Sequence, residues 1–301
     1  MEYQDLLSHC TLCPRKCGVN RLMGETGFCG AVDRVKAARA SLHYWEEPCL
    51  SGESGSGTVF FSHCTLSCVF CQNYQISSCG QGKDITPERL GKIFLSLQQQ
   101  GAQNINLVTP THYVPQILQA IDEAKKRGLV LPIVYNSSGY ERKETIALLE
   151  GAVDIFLPDF KYMDDNLARR YSHAPDYSRF AKESIAQMVE QVGKPVFAED
   201  GRMKKGVIIR HLMLPGQLAD TKKIIRWIYE TLGNRVYLSL MNQYTPMEQV
   251  KGLPELMRKL TQKEYEEAID FALDLGLTQG FIQEGETASE SFIPDFNGEG
   301  I

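Results

Sequence analysis

"FFSHCTLSCVFCQNYQIS", residues 60–77, closes an apolar run and then sets Cys64, Cys68 and Cys71 within a few positions of one another. Three soft ligands on one tight loop can seat a metal ion or an iron–sulfur cluster. They leave one position of a tetrahedral site, or one iron of a cubane, without a protein ligand. An unfilled position is where a substrate or cofactor binds. The preceding run "TVFFSHC" (58–64) reads as a strand, so the thiols follow its C-terminal end.

Outward from this loop, strand-like and helix-like segments alternate. The first helix candidate opens with Thr86 as cap, Pro87 in the first turn and Glu88 behind it. "NINLVTP" (104–110) is a second strand. The helix after it carries Ile117, Ile121 and Ala124 on one face and stops at Gly128. Residues 132–138 with 141–151, and 154–161 with a long helical region ending at 193, make the next units. "GVIIRHLMLPG" (206–216) precedes a helix with Ile224, Ile228 and Leu232 at helical spacing, and "RVYLSLMNQ" (235–243) precedes 264–277. A short "QGFIQ" (279–283) is compatible with a last partial strand. Six βα units with apolar strands predict an α/β fold, a partial (β/α)6 TIM-like barrel, short of the eight units of a closed one. Catalytic groups then gather at the strand C-terminal ends, where the cysteine loop stands. "LSGESGSGTVFF" (50–61) reads as a Gly/Ser linker, which divides the chain into a Cys-rich N-terminal metal-binding extension with linker (1–57) and the barrel (58–301).

The chain has 301 residues, enough for one large domain with an appendage. Its net charge of −5, with signs mixed, indicates no general field for nucleic acid or membrane, and no apolar run approaches a membrane span. The start "MEYQDLLSHC" has no basic cluster followed by an apolar run, so a cytoplasmic location is expected. In a reducing compartment nine cysteines fit thiolate ligation better than disulfides.

"CTLSCVFCQN", C-x3-C-x2-C with Phe70 before the last cysteine, resembles the cluster loop of the radical S-adenosylmethionine (SAM) superfamily. That resemblance implies that Cys64, Cys68 and Cys71 hold three irons of a [4Fe–4S] cluster, and that SAM ligates the fourth through its amino and carboxylate groups. It also implies reductive cleavage of SAM to a 5′-deoxyadenosyl radical that abstracts hydrogen from substrate. The alternative is a zinc site with a fourth ligand such as His63 or Cys79; Cys79 and Cys49 otherwise read as buried small hydrophobes.

Within the superfamily, "CVFCQNYQIS", "DIFLPDFK" and "GVIIRHLMLPG" look most similar to the pyruvate formate-lyase activating enzyme-like (PflX-type) proteins. The similarity implies catalytic positions for Asp159 and Lys161, and contacts to SAM from Asn136 and Ser138. It places Arg210 in the strand-five pattern and Asn242 or Gln243 at an adenine or substrate contact. One departure stands out: the Gly-Gly-Glu-type turn of activases is replaced by "LVTPTHY", so Thr109, Thr111 or a backbone carbonyl of that turn is expected to accept from the SAM amine, with His112 as a substitute. A reductant such as flavodoxin or ferredoxin is implied as partner, with a glycyl radical enzyme or a peptide as substrate.

"CTLCPRKCGVNRLMGETGFCG" holds Cys10, Cys13, Cys17 and Cys29, a four-thiolate set for a closed zinc ion or a second cluster. With so little apolar periodicity, this leader is expected to need metal as a structural staple, rather than to serve as an electron relay. Arg15, Lys16 and Arg21 then either neutralise the thiolates or face solvent. Three functions follow: a glycyl-radical activase, a radical SAM enzyme modifying a small molecule or peptide, and a non-catalytic metal-binding or electron-transfer protein.

Overall fold

Short apolar blocks bounded by Gly, Pro and Asn become strands in this protein. The structure, a computed structural model, describes residues 3–283 and 294–301. The strands are β1 (Val35–His43), β2 (Ser56–Phe61), β3 (Lys83–Ile85), β4 (Ile105–Val108), β5 (Ile133–Ser137), β6 (Ile155–Pro158), β7 (Val196–Phe197), β8 (Met203–Leu212), β9 (Tyr237–Met241) and β10 (Gly280–Ile282). They form one sheet in the order β10-β9-β8-β6-β5-β4-β2-β1-β3, with β7 paired to β8. From β2 to β10 along this path every pairing is parallel, as expected for the barrel strands. The register brings Phe60 beside Val108, Val108 beside Asn136 and Ser137 beside Pro158, so the strand C-terminal ends lie level.

The crossover helices form as their sequence signals predict. Thr86 caps Pro87–Gln99 by accepting from the Arg89 N–H at 3.2 Å. Ile117, Ile121 and Ala124 of Val114–Lys126 are fully or nearly buried. Strand residues alternate between two cores. Ile133, Tyr135, Phe156, Val207 and Ile209 join the large core under the helices, whereas Val134, Ile155, Leu157 and Ile208 face inward onto Leu50.

Leu50 belongs to the stretch read as a linker. Pro48–Ser51 is a helical turn that plugs the barrel from the N-terminal ends of the strands, where Asn104 donates to the Leu50 carbonyl at 2.8 Å. Gly57, taken as linker, is a strand residue without room for a side chain: a Cβ there would stand 2.8 Å from the Asn104 carbonyl oxygen. Upstream, β1 runs antiparallel to β2 and β3. The sheet therefore continues across residue 57, and the four leader cysteines all lie in the segment before Val35. Sequence pattern hid β1 because its alanines blur the period-two alternation that marks a half-buried strand.

Candidate active site

The loop after β2 is folded back on itself, which gathers its thiols. His63 takes a positive φ of 73° and its N–H donates to the Ile76 carbonyl at 2.8 Å; Cys71 N–H donates to the Cys68 carbonyl at 3.1 Å. Cys64, Cys68 and Cys71 all line one cavity of about 360 Å³. Each sulfur has a hydrogen-bond partner: the Leu66 N–H at 3.4 Å from Cys64, the Ser172 hydroxyl at 3.0 Å from Cys68, and the Ser77 hydroxyl at 3.2 Å from Cys71. Burial pushes the Cys68 thiol up to about 11, against the pull of Lys161, and raises that of Cys64 further, with Cys68 adding to it. Thiolates here call for cationic partners. Among the described residues no group of three His, Cys, Asp or Glu side chains is gathered tightly enough to hold a bare metal ion. Three sulfurs spread around a cavity of this size suit a multi-atom group such as a cubane, with space beside it for a further ligand.

Strand ends supply the rest of the lining. Thr109, Asn136, Ser138, Asp159, Lys161, Arg210 and Gln243 share the cavity with the thiols. Lys161 Nζ donates to Asp159 Oδ2 at 2.5 Å. Burial works against the ammonium, but the Asp159 carboxylate and the Cys68 sulfur outweigh it and hold Lys161 above its ordinary value. Tyr177 fixes this corner. Its hydroxyl accepts from the Lys161 N–H at 2.9 Å and lies 2.8 Å from the Ser138 carbonyl.

Two expected contacts do not reach the cavity. Thr111 is buried, its hydroxyl donating to Glu141 at 2.5 Å, and Asn242, at the end of β9, uses its N–H on the Gln283 side chain. Nor is Arg210 free: Nε and Nη2 grip Glu47 at 2.8 and 2.6 Å, and Nη2 also meets Glu46. Cys79 is exposed rather than buried, while Cys49 is half-buried against the inner core. His63 stands beside Gly30 and Gly80, as a loop residue, with its pKa lowered by burial.

Sequence reasoning missed the floor of the cavity. Glu46 and Glu47, from the "WEEP" stretch (45–48), line it with Trp45 and Ser239. Two acids ahead of a proline, just before the supposed linker, were the available signal. Ser172 and Tyr177 carried none, since their roles arise only where the helices Asp165–Ser172 and Tyr177–Val192 meet the cysteine loop and the end of β6.

The leader packs onto this framework. Leu7, Leu12 and Ala31 are buried; Arg142 donates to the Thr11 carbonyl and Thr145 to the Leu12 carbonyl, both at 2.6 Å. Arg15 reaches the carbonyls of Thr65 at 3.1 Å and His173 at 2.6 Å, touching the cysteine loop. Lys16 is exposed. Cys10, Cys13, Cys17 and Cys29 come together around a separate cavity of about 10 Å³.

Known proteins match along the same lines. Residues 58–228 match the family described as the Radical SAM superfamily. An uncharacterized protein of Methanocaldococcus jannaschii is 32% identical over 282 residues, covering 89% of this chain and 75% of that one. A pyruvate formate-lyase-activating enzyme of Clostridium pasteurianum is 24% identical over 234 residues, covering 70% and 90%. Among solved structures, a radical SAM methyltransferase from Sphaerobacter thermophilus aligns with a TM-score of 0.51 at 14% identity, over 86% of this chain and 80% of that one. Streptococcus suis SuiB bound to precursor peptide SuiA aligns at 0.50 and 15% identity, over 74% of this chain but only 46% of its own length. At such identities the two structures show a common fold.

Proposed function

We propose that this chain, which belongs to the radical SAM superfamily, cleaves SAM reductively at the Cys64–Cys68–Cys71 loop and passes the radical to a partner protein. The superfamily works with a [4Fe–4S] cluster and SAM, and needs a reductant. When bound, that pair supplies electron transfer into the sulfonium and a 5′-deoxyadenosyl radical that takes hydrogen from substrate. The protein's own part is placement. Cys64, Cys68 and Cys71 hold the cluster as thiolates, and the Ser172 and Ser77 hydroxyls orient two of the sulfurs. Thr109, Asn136, Ser138 and Gln243 offer hydrogen bonds to the polar groups of SAM from the C-terminal ends of β4, β5 and β9. Asp159 and Lys161 stand beside the sulfurs as the charged pair nearest the chemistry, while Phe60, Phe70 and Tyr244 keep water from it.

The single observation that carries this reading is that three thiols and these strand-end groups line one cavity. The activating-enzyme relative supports a pyruvate formate-lyase-like glycyl radical enzyme as the substrate; a cytoplasmic flavodoxin or ferredoxin as the reductant follows from the superfamily resemblance alone. A second substrate reading, a small molecule or a peptide, is favoured by the Thr109-Pro110-Thr111 turn in place of Gly-Gly-Glu. Of the two groups expected at the leader thiols, an iron–sulfur cluster is the one kept in this reading, since among the described residues no set of thiols is gathered tightly enough for a bare zinc ion. Anaerobic reconstitution with SAM and reductant tests the reaction. Wild type should form 5′-deoxyadenosine and C64A/C68A/C71A none; equal turnover by that variant sinks the proposal. Deuterium transferred from a candidate glycine-bearing protein, or from a peptide instead, separates the two substrates.

A further inference from the structure

The leader cavity is lined by Cys10, Cys13, Cys17 and Cys29 together with Arg21 and His112. It is built around sulfur. The Phe28 N–H donates to Cys17 Sγ at 3.3 Å, and the backbone N–H groups of Arg15 and Ala31 point at Cys13 and Cys29. A Cβ on Gly27 would lie 2.6 Å from Cys17 Sγ, so only glycine lets that sulfur sit there.

Arg21 is the unexplained group. Its side chain is buried, the residue being 1% exposed. Nε and Nη2 donate to the Val32 carbonyl at 3.2 and 2.5 Å, and Nη1 donates to the His112 carbonyl at 2.5 Å and lies 4.0 Å from Cys10 Sγ. Among the described residues none of these partners is a carboxylate. A guanidinium stripped of water and given only neutral acceptors is strongly disfavoured unless an anion stands close by. The groups on this cavity able to carry negative charge are the four thiols. Lys16 is exposed and Arg15 is turned to the carbonyls of Thr65, Ser172 and His173, so neither neutralises them.

Resting on the reading of the leader as metal-bearing, we infer that Arg21 is the built-in counter-ion of a closed four-thiolate metal centre. Among the described residues the leader thiols are not gathered tightly enough for a bare ion such as Zn²⁺. Four thiolates around a [4Fe–4S]²⁺ cubane leave a net dianion, with no position open to SAM. Arg21 offsets part of that charge. Through Val32 and His112 it also ties the centre to the turn after β4, which makes it a positioning residue between leader and barrel.

The test begins with C64A/C68A/C71A, in which any remaining metal belongs to the leader. Elemental analysis and acid-labile sulfide should give about four irons with about four sulfides per chain; no iron overturns both the metal reading and the counter-ion role. On the full chain, Arg21→Lys keeps the charge and Arg21→Gln removes it. The lysine variant should release metal to a chelator at close to the wild-type rate, and the glutamine variant at least about tenfold faster. Equal release from Arg21→Gln and wild type, or fast release from both variants, overturns the counter-ion role while the metal reading stands. Should the glutamine variant fail to fold, metal retention by Arg21→Lys decides alone. Only the glutamine variant should show a lowered reduction potential, a readout that loss of packing would not confine to one variant.

Discussion

Replacing Arg210 by Met should unfold the floor of the cavity before it touches SAM. The Arg210, Glu46 and Glu47 side chains are 13%, 6% and 5% exposed, so their charges have little water to lean on. Glu46 also accepts from Asn106 Nδ2 at 2.7 Å. Burial alone would lift the Glu47 carboxyl, yet the Arg210 charge and hydrogen bonds outweigh it and hold the group below the usual carboxylate range. Removing one partner of a buried pair costs about 3–5 kcal/mol, and two carboxylates left facing each other argue for the upper end. For a chain of this size about 5 kcal/mol corresponds to a fall in Tm of roughly 10 °C. The pH dependence has a definite sign. With its depressed folded pKa, Glu47 contributes stability in the wild type above the unfolded value, and this is lost as pH falls through the folded value. In the variant, burial without Arg210 raises the Glu47 carboxyl, so it takes up a proton as pH falls and relieves the penalty. The gap between the two proteins should therefore narrow from pH 7 to pH 5. Anaerobic urea and thermal unfolding followed by circular dichroism measures it, and E46Q/E47Q/R210M should recover most of the loss. A variant within about 1 kcal/mol of wild type at pH 7, or a gap indifferent to pH, would refute a charged floor held by Arg210.

Ser172→Ala deletes the hydroxyl that donates to Cys68 Sγ at 3.0 Å, and electrochemistry should show a cluster potential lower by on the order of 50 mV, with iron content unchanged. An unmoved potential would make the contact merely structural. Lys161→Met leaves Asp159 without its 2.5 Å partner. Formation of 5′-deoxyadenosine should drop at least about 100-fold with a full complement of iron, whereas unchanged turnover removes the pair from the chemistry. Glu141 is fully buried among hydroxyls, and burial lifts it to about 8. The folded state thus binds a proton more tightly than the unfolded one, and stability should fall as pH rises between its ordinary value and about 8, by up to about 1.4 kcal/mol per pH unit. Glu141→Gln should flatten that slope in urea titrations, and an identical slope in the variant would place its origin elsewhere.

Local signals in the chain were enough for the parts of this protein that are periodic or close in sequence. The helices declared themselves through Thr86-Pro87 and the Ile117–Ile121–Ala124 face, and the barrel strands through short apolar blocks, because these depend on side chains a few positions apart. Cys64, Cys68 and Cys71 were legible as a group for the same reason: one loop carries all three thiols that line the cavity. So were the four leader cysteines as a group. Tertiary structure alone decided what rests on distant encounters. Arg210 meets Glu46 and Glu47 across more than 160 positions, Ser172 meets Cys68 across 104, and Arg21 meets the His112 carbonyl across 91. Nothing in the neighbourhood of any of these residues foretells its partner. Whether a carboxylate or a guanidinium is solvated, paired or left to find a counter-ion is set by which buried surface the folded chain brings against it. That choice is made only when the sheet closes around Leu50 and the leader docks on the barrel.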